Sequence, residues 1–181
     1  MERHLRVEVL ASETVFEGSI FDVVVESVRL PSGLRQDVAV VDHRGAVCVA
    51  PLLDDGRLLL VEQYRHAAGD WMLEIPAGRL EEGESPEDAV RRELEEETGH
   101  RASHVEKLYE YLPAPGFCSE RITLFVARGL EAVEGGGLAC DEDEELALVR
   151  LTPEEILAPG ACQDVKTLLA AALLVGGRLA R

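Results

Sequence analysis

The stretch GRLEEGESPEDAVRRELEEETG, residues 78–99, decides how this chain folds. Ser85 is a good N-cap, Pro86 suits the first helical position, and Asp88 completes a Ser-x-x-Asp box. Gly99 supplies a left-handed stop, so a helix is predicted over 86–98. On that helix Glu93, Glu96 and Glu97 stand at i, i+3 and i+4 and share one face, while Ala89, Val90 and Leu94 turn to the core. Like charges on one helix face destabilise it by a few tenths of a kcal/mol per pair. A divalent cation among them removes that penalty, because hard cations such as Mg²⁺ take oxygen ligands, usually one or two carboxylates plus substrate phosphates. Taken alone, the run also reads as a solvated charged face with Arg91 and Arg92 as helical partners.

Outward from this helix the chain is mostly strand. Residues 20–30 and 34–41 flank Pro31-Ser32-Gly33 as a hairpin. Residues 45–53 and 57–63 are read as a second pair around Asp54-Asp55-Gly56, where Asp-Gly is a strong turn signal. The apolar stretch 71–75 runs into Pro76-Ala77-Gly78. Beyond Gly99, residues 102–112, 121–128 and 146–151 are predicted strands. A short helix starts at Thr152-Pro153-Glu154-Glu155, and a last one covers 162–175. Strands interrupted by a few helices, without strict alternation, predict a mixed α/β sandwich, an α+β arrangement.

The chain has 181 residues, enough for one domain or one domain with an appendage, and 35 Asp+Glu against 18 Lys+Arg, for a net charge of −17. An excess this acidic excludes a non-specific nucleic-acid binder or an anionic-membrane binder. The charge is concentrated: residues 78–100 carry net −6 and residues 131–145 net −7. The start, MERHLRVEVL, has no apolar h-region, so no signal peptide is expected there, and the apolar run 168–175 is far too short for a bilayer span of ~20 residues. Cysteines at 48, 118, 140 and 162 show neither a CxxC pair nor metal spacing, which predicts reduced thiols and a cytoplasmic protein.

Gly78, Glu84, Arg92, Glu93, Leu94, Glu96, Glu97 and Gly99 reproduce the Nudix box, G-x5-E-x7-R-E-U-x-E-E-x-G-U, with His100 departing from its final aliphatic position. The chain therefore resembles the Nudix hydrolases. The resemblance implies a Nudix fold, a mixed β-sheet sandwiched between helices, with an N-terminal antiparallel β segment at 1–42 and the hydrolase domain at 43–181. It also implies Mg²⁺, or Mn²⁺, held by the Ala77 carbonyl, Glu93 and Glu97, with Glu96 supporting a second metal and Glu84–Arg92 bracing the loop.

The flanks resemble the ADP-ribose pyrophosphatases within that family. Glu74-Ile75-Pro76-Ala77-Gly78 is similar to their E-[IL]-P-A-G entry, and Pro115 follows Gly99 by sixteen residues as it does in that group. Ala114-Pro115-Gly116-Phe117-Cys118-Ser119-Glu120 looks like their S-P-G-[FG]-x-[SD]-E loop, with Ala114 and Cys118 as departures. Val61-Glu62-Gln63-Tyr64-Arg65 is similar to their V-x-Q-[YF]-R strand. These matches imply substrate contacts from Arg65, Pro115, Gly116, Phe117 and Glu120. The acidic loop 141–145 resembles the one carrying the general base, Glu144 in the favoured register and Glu142 in the next. A homodimer is implied too, with strands from the Phe16–Val28 region exchanged and Phe16 or Phe21 stacking on the base. The implied reaction is hydrolysis of ADP-ribose to AMP and ribose 5-phosphate. Another nucleoside diphosphate derivative such as GDP-mannose, and a non-catalytic nucleotide sensor, remain as alternatives.

Overall fold

The computed structural model describes residues 6–134 and 146–177. Its contacts divide the chain into two compact units, Met1–Gly45 with Tyr111–Ile122, and Ala46–Glu110 with Thr123–Arg181. Residues 111–122 thus group with the N-terminal segment, although they lie inside the stretch read from sequence as the hydrolase domain.

The first unit is built on an antiparallel sheet of β1 (Glu8–Glu17), β2 (Phe21–Arg29) and β3 (Arg35–His43), in that order. The β2–β3 hairpin closes through Leu30 and Gly33, whose φ of 85° requires glycine at the turn. Strand β1 escapes a reading by alternation. Two irregularities in its pairing, between Val9 and Ala11 and between Thr14 and Phe16, shift the two-residue period partway along.

The second unit carries two further sheets. One has the order β7-β4-β9-β8, from β7 (Ala77–Arg79), β4 (Ala46–Pro51), β9 (Ile122–Ala132) and β8 (His100–Tyr111). The other has the order β10-β5-β6, from β10 (Leu146–Leu151), β5 (Leu58–Arg65) and β6 (Asp70–Glu74). The helices are α1 (Pro86–Thr98), α2 (Pro153–Ile156) and α3 (Val165–Val175). The prediction that 45–53 and 57–63 pair as a hairpin is corrected here. The Asp54-Asp55-Gly56 turn forms, closed by the Leu53 N–H to Arg57 O and a single Leu52–Leu58 bridge, but β4 and β5 then enter different sheets. Pro51 has no N–H for a ladder, and the next donor, Leu52 N–H, goes to Ala127 O at 2.9 Å, drawing β4 to β9.

Helix α1 forms where predicted. Ser85 accepts the Asp88 N–H, and Gly99 closes the helix at φ 67°. Its inner face, Ala89, Val90 and Leu94, is buried against Val47 and Val49 of β4 and Phe125 and Ala127 of β9. Val90 and Leu94 each contribute about 1.5–3 kcal/mol when fully buried, and Ala89 less, so packing fixes which side of α1 is left for its carboxylates. Helix α3 begins at Val165, later than the predicted 162, because Asp164 is its N-cap and accepts the Thr167 N–H at 2.9 Å. Among the described residues no helix is long and apolar enough to cross a membrane.

Candidate active site

The outer face of α1 is organised by one guanidinium. Arg92 donates from Nε and Nη2 to the two Glu84 oxygens, both at 3.0 Å, and from Nη1 to Glu93 at 2.7 Å and Glu96 at 3.0 Å. Its Nη2 also reaches the Arg79 carbonyl at 3.2 Å, tying the helix to the end of β7. The bidentate bond to Arg92 holds the Glu84 carboxyl below the usual range. Glu93 goes the other way: burial pushes its carboxyl up despite Arg92, with Glu96 and Glu84 adding to the rise. Glu97 is buried and accepts the Ala77 N–H at 3.3 Å.

Gly78 completes this arrangement. A Cβ built on it would run into the Glu93 carboxylate, so the bare Gly78 backbone leaves the room that this carboxylate occupies. Ala77, Glu93 and Glu97 therefore belong to one locality, with Glu96 on its rim. Among the described residues no three acidic, His or Cys groups converge closely enough to chelate an ion, because Arg92 holds Glu93 and Glu96. The donor set nonetheless fits a hard divalent cation. It is all oxygen, includes two buried carboxylates, and one guanidinium is spread over three acids.

Arg65, at the end of β5, lies in a different network. It makes a fork-to-fork pair with Glu74 of β6, Nε to Oε1 and Nη2 to Oε2, each 2.8 Å. Lys166, in the first turn of α3, donates to the same Glu74 oxygen that Arg65 Nη2 holds and lies 3.0 Å from Asp164. Thr167 accepts the Ile75 N–H at 2.8 Å, so α3 also grips the backbone next to Glu74. Burial raises the Glu74 carboxyl, but Arg65 and Lys166 outweigh it and hold it below the usual range. Burial lowers the Lys166 ammonium, and Asp164 and Glu74 more than offset that. Nothing in the sequence singles out Lys166 or Asp164 as members of this network. The sequence signals for this network are Arg65, closing the V-x-Q-[YF]-R match, and Glu74, opening the E-[IL]-P-A-G match.

In the first unit, the loop carrying Pro115, Gly116 and Phe117 is stitched to the end of β3. Cys118 N–H closes a turn on Ala114 O at 2.9 Å, Val41 N–H donates to Phe117 O at 2.8 Å, and Ser119 N–H donates to Val41 O at 2.9 Å. The Ser119 hydroxyl donates to Asp42 at 2.7 Å and accepts the His43 N–H at 2.9 Å. Glu120 stands 3.7 Å from His43 Nδ1. Sequence reasoning missed Asp42 and His43 as anchors, since nothing local links them to a loop more than seventy residues away. Phe117 is 60% exposed and Phe16 53% exposed; the Phe16 ring packs on Phe21 at 6.1 Å between centroids, at the end of the sheet. Glu142 and Glu144 lie outside the described residues.

Three comparisons place this geometry among known proteins. The sequence profile described as NUDIX domain matches residues 42–171. An ADP-ribose pyrophosphatase of Bacillus subtilis is 38% identical over 155 residues, which cover 86% of this chain and 83% of that protein. A methanol dehydrogenase activator of Bacillus methanolicus is 40% identical over 148 residues, covering 82% and 80%. A crystal structure described as an ADP compounds hydrolase superposes with a TM-score of 0.83 at 25% identity, covering 99% of this chain and 97% of that one.

Proposed function

This chain belongs to the NUDIX domain family, and from that premise we propose that it hydrolyses the diphosphate bond of ADP-ribose to AMP and ribose 5-phosphate. The observation that carries the reading is the α1 face, where Glu93 and Glu97 are buried next to a glycine whose missing Cβ makes room for a carboxylate. Relatives named ADP-ribose pyrophosphatase support the choice of substrate.

Ala77, through its carbonyl, and Glu93 and Glu97 are the proposed holders of Mg²⁺ or Mn²⁺, with Glu96 beside them. A cation bound there supplies charge neutralisation of the diphosphate and acidification of water. The chain's own part is to keep these carboxylates ionised and aligned. Arg92 does so by bracing Glu84, Glu93 and Glu96, and it must yield Glu93 and Glu96 for them to act as ligands. Arg65 is the proposed phosphate contact, its plane fixed by Glu74. The loop Pro115-Gly116-Phe117 with Glu120, and Phe16, are the proposed contacts to the rest of the nucleotide. Glu144, or Glu142 in the neighbouring register, is the proposed base.

The proposed assembly is a homodimer that exchanges strands of the 1–42 segment, with 43–181 as the proposed hydrolase domain. Strand β1, exposed along its whole length in one copy, supports it. A cytoplasmic location is proposed from the cysteine spacing at 48, 118, 140 and 162, which holds no CxxC pair. Incubation with Mg²⁺ and a panel of ADP-ribose, GDP-mannose and dinucleotides tests the reading. ADP-ribose is expected to turn over best, with AMP and ribose 5-phosphate in equal amounts. Preferential cleavage of another substrate would replace it, and tight binding without any product would make the protein a sensor.

A further inference from the structure

Four charged groups form a buried chain beside the diphosphate site of the proposed reaction: Arg65, Glu74, Lys166 and Asp164. Glu74 has a side chain only 4% exposed, with Lys166 at 12% and Asp164 at 15%. Arg65, at 42%, is the member that reaches solvent. The signs alternate, and the sum is zero. Lys166 is 92 residues from Glu74 in sequence, and its ammonium shares one Glu74 oxygen with Arg65.

The charge balance is what singles out Lys166. Without it the remaining three groups sum to −1 where an anionic substrate has to approach, and Glu74 is left to Arg65 alone. In a partly desolvated setting such interactions are weakly screened. A guanidinium claimed entirely by a buried carboxylate presents less positive field to a phosphate than one whose partner is shared. Its planar fork also keeps its direction only while that partner stays in place.

We propose that Lys166 is a positioning residue for Arg65, sharing the Glu74 carboxylate so that the guanidinium is held in direction and kept electropositive toward a nucleoside diphosphate. The inference rests on the reading of Arg65 as the phosphate contact. Asp164 tunes the same balance with the opposite sign.

Steady-state kinetics with ADP-ribose and Mg²⁺ on four variants test this. Lys166→Met is expected to raise KM about ten-fold with kcat within about two-fold, the range typical of residues that orient a ligating group. Lys166→Arg, which keeps the charge, restores KM. Asp164→Asn keeps the helix cap, because Asn caps as well as Asp, and makes the cluster net positive, so KM falls or holds. Thr167→Val removes the hydroxyl that accepts the Ile75 N–H and donates to Asp164 but leaves all four charges in place, lowering Tm without moving KM. The proposal is overturned if Lys166→Met leaves KM unchanged, or if Asp164→Asn or Thr167→Val raises it equally, since those outcomes describe loss of packing.

Arg65→Ala separates this proposal from the reading beneath it. No rise in KM in that variant removes both, whereas a rise there without one in Lys166→Met removes only the role of Lys166. If the wild type leaves ADP-ribose intact, the reaction reading falls. The proposal is then decided by ADP affinity measured calorimetrically with Mg²⁺: weakened by Lys166→Met if it holds, unchanged if it fails.

Discussion

Arg92 on α1 and Glu74 at the end of β6 are opposites in charge design. One guanidinium is divided among Glu84, Glu93 and Glu96, so that cluster is short of positive charge. One carboxylate is gripped by Arg65 and Lys166, with Asp164 behind, so that cluster is balanced. Burial acts on both and ends differently: Glu93 is pushed up, Glu74 is held down. The comparison separates two jobs that a list of charged residues would merge. On the proposed reading, the incomplete carboxylate cluster receives a cation and the completed one holds a side chain still.

The largest expected effect breaks the first cluster. Glu97→Gln removes a buried oxygen donor at the proposed metal site, and kcat with ADP-ribose should fall by more than about 100-fold, beyond the loss usual for residues that only orient ligands. Thermal unfolding without metal should change little. An unchanged kcat would mean that the incomplete cluster is not where the chemistry happens.

Glu74→Gln attacks the balanced cluster and should act on stability first. Two cations lose their buried partner, and breaking such a pair costs about 3–5 kcal/mol, measurable by urea denaturation. The pH dependence follows in sign. The folded-state value of Glu74 lies below its ordinary one, so its contribution is full above about pH 4.3 and is lost as pH falls through the folded value. The Tm gap between wild type and Glu74→Gln should therefore close on acidification below that point. A gap of constant size down to pH 3 would show that charge is not what Glu74 contributes.

A smaller effect sharpens the contrast. Gly78→Ala places a methyl against the Glu93 carboxylate, the movable end of a flexible side chain, so stability should hold. Misplacing a catalytic group by about 1 Å can cost up to about 100-fold, and a loss of about 10- to 100-fold in kcat is expected. The smallest effect comes from Ser85→Ala, which removes the cap of α1. It should cost about 1 kcal/mol in chemical denaturation while leaving KM unchanged.

How much of this was legible in the sequence depended on how local each cause is. Helix α1 could be read to its ends because Ser85, Pro86 and Gly99 act on their own neighbours. Its carboxylate face followed from helical spacing, and the proposed metal-site residues come from the box itself. The β4–β5 pairing was misread because the Asp-Gly turn is local while its competitor, the Ala127 carbonyl, is not. Strand β1 was hidden by the shifts in its pairing. Lys166 was invisible for a similar reason: its meaning lies in Glu74, 92 residues away, and no spacing rule connects a last-helix lysine to a strand end.

The central claim is that the charge-short face of α1 is a divalent-cation site. Titration of Mn²⁺ followed by electron paramagnetic resonance, with wild type beside the Glu93→Gln/Glu97→Gln double variant, tests it most directly. The account predicts stoichiometric binding by the wild type, displaced by excess Mg²⁺, and loss of that binding in the double variant. Equal Mn²⁺ binding by the two proteins would contradict it.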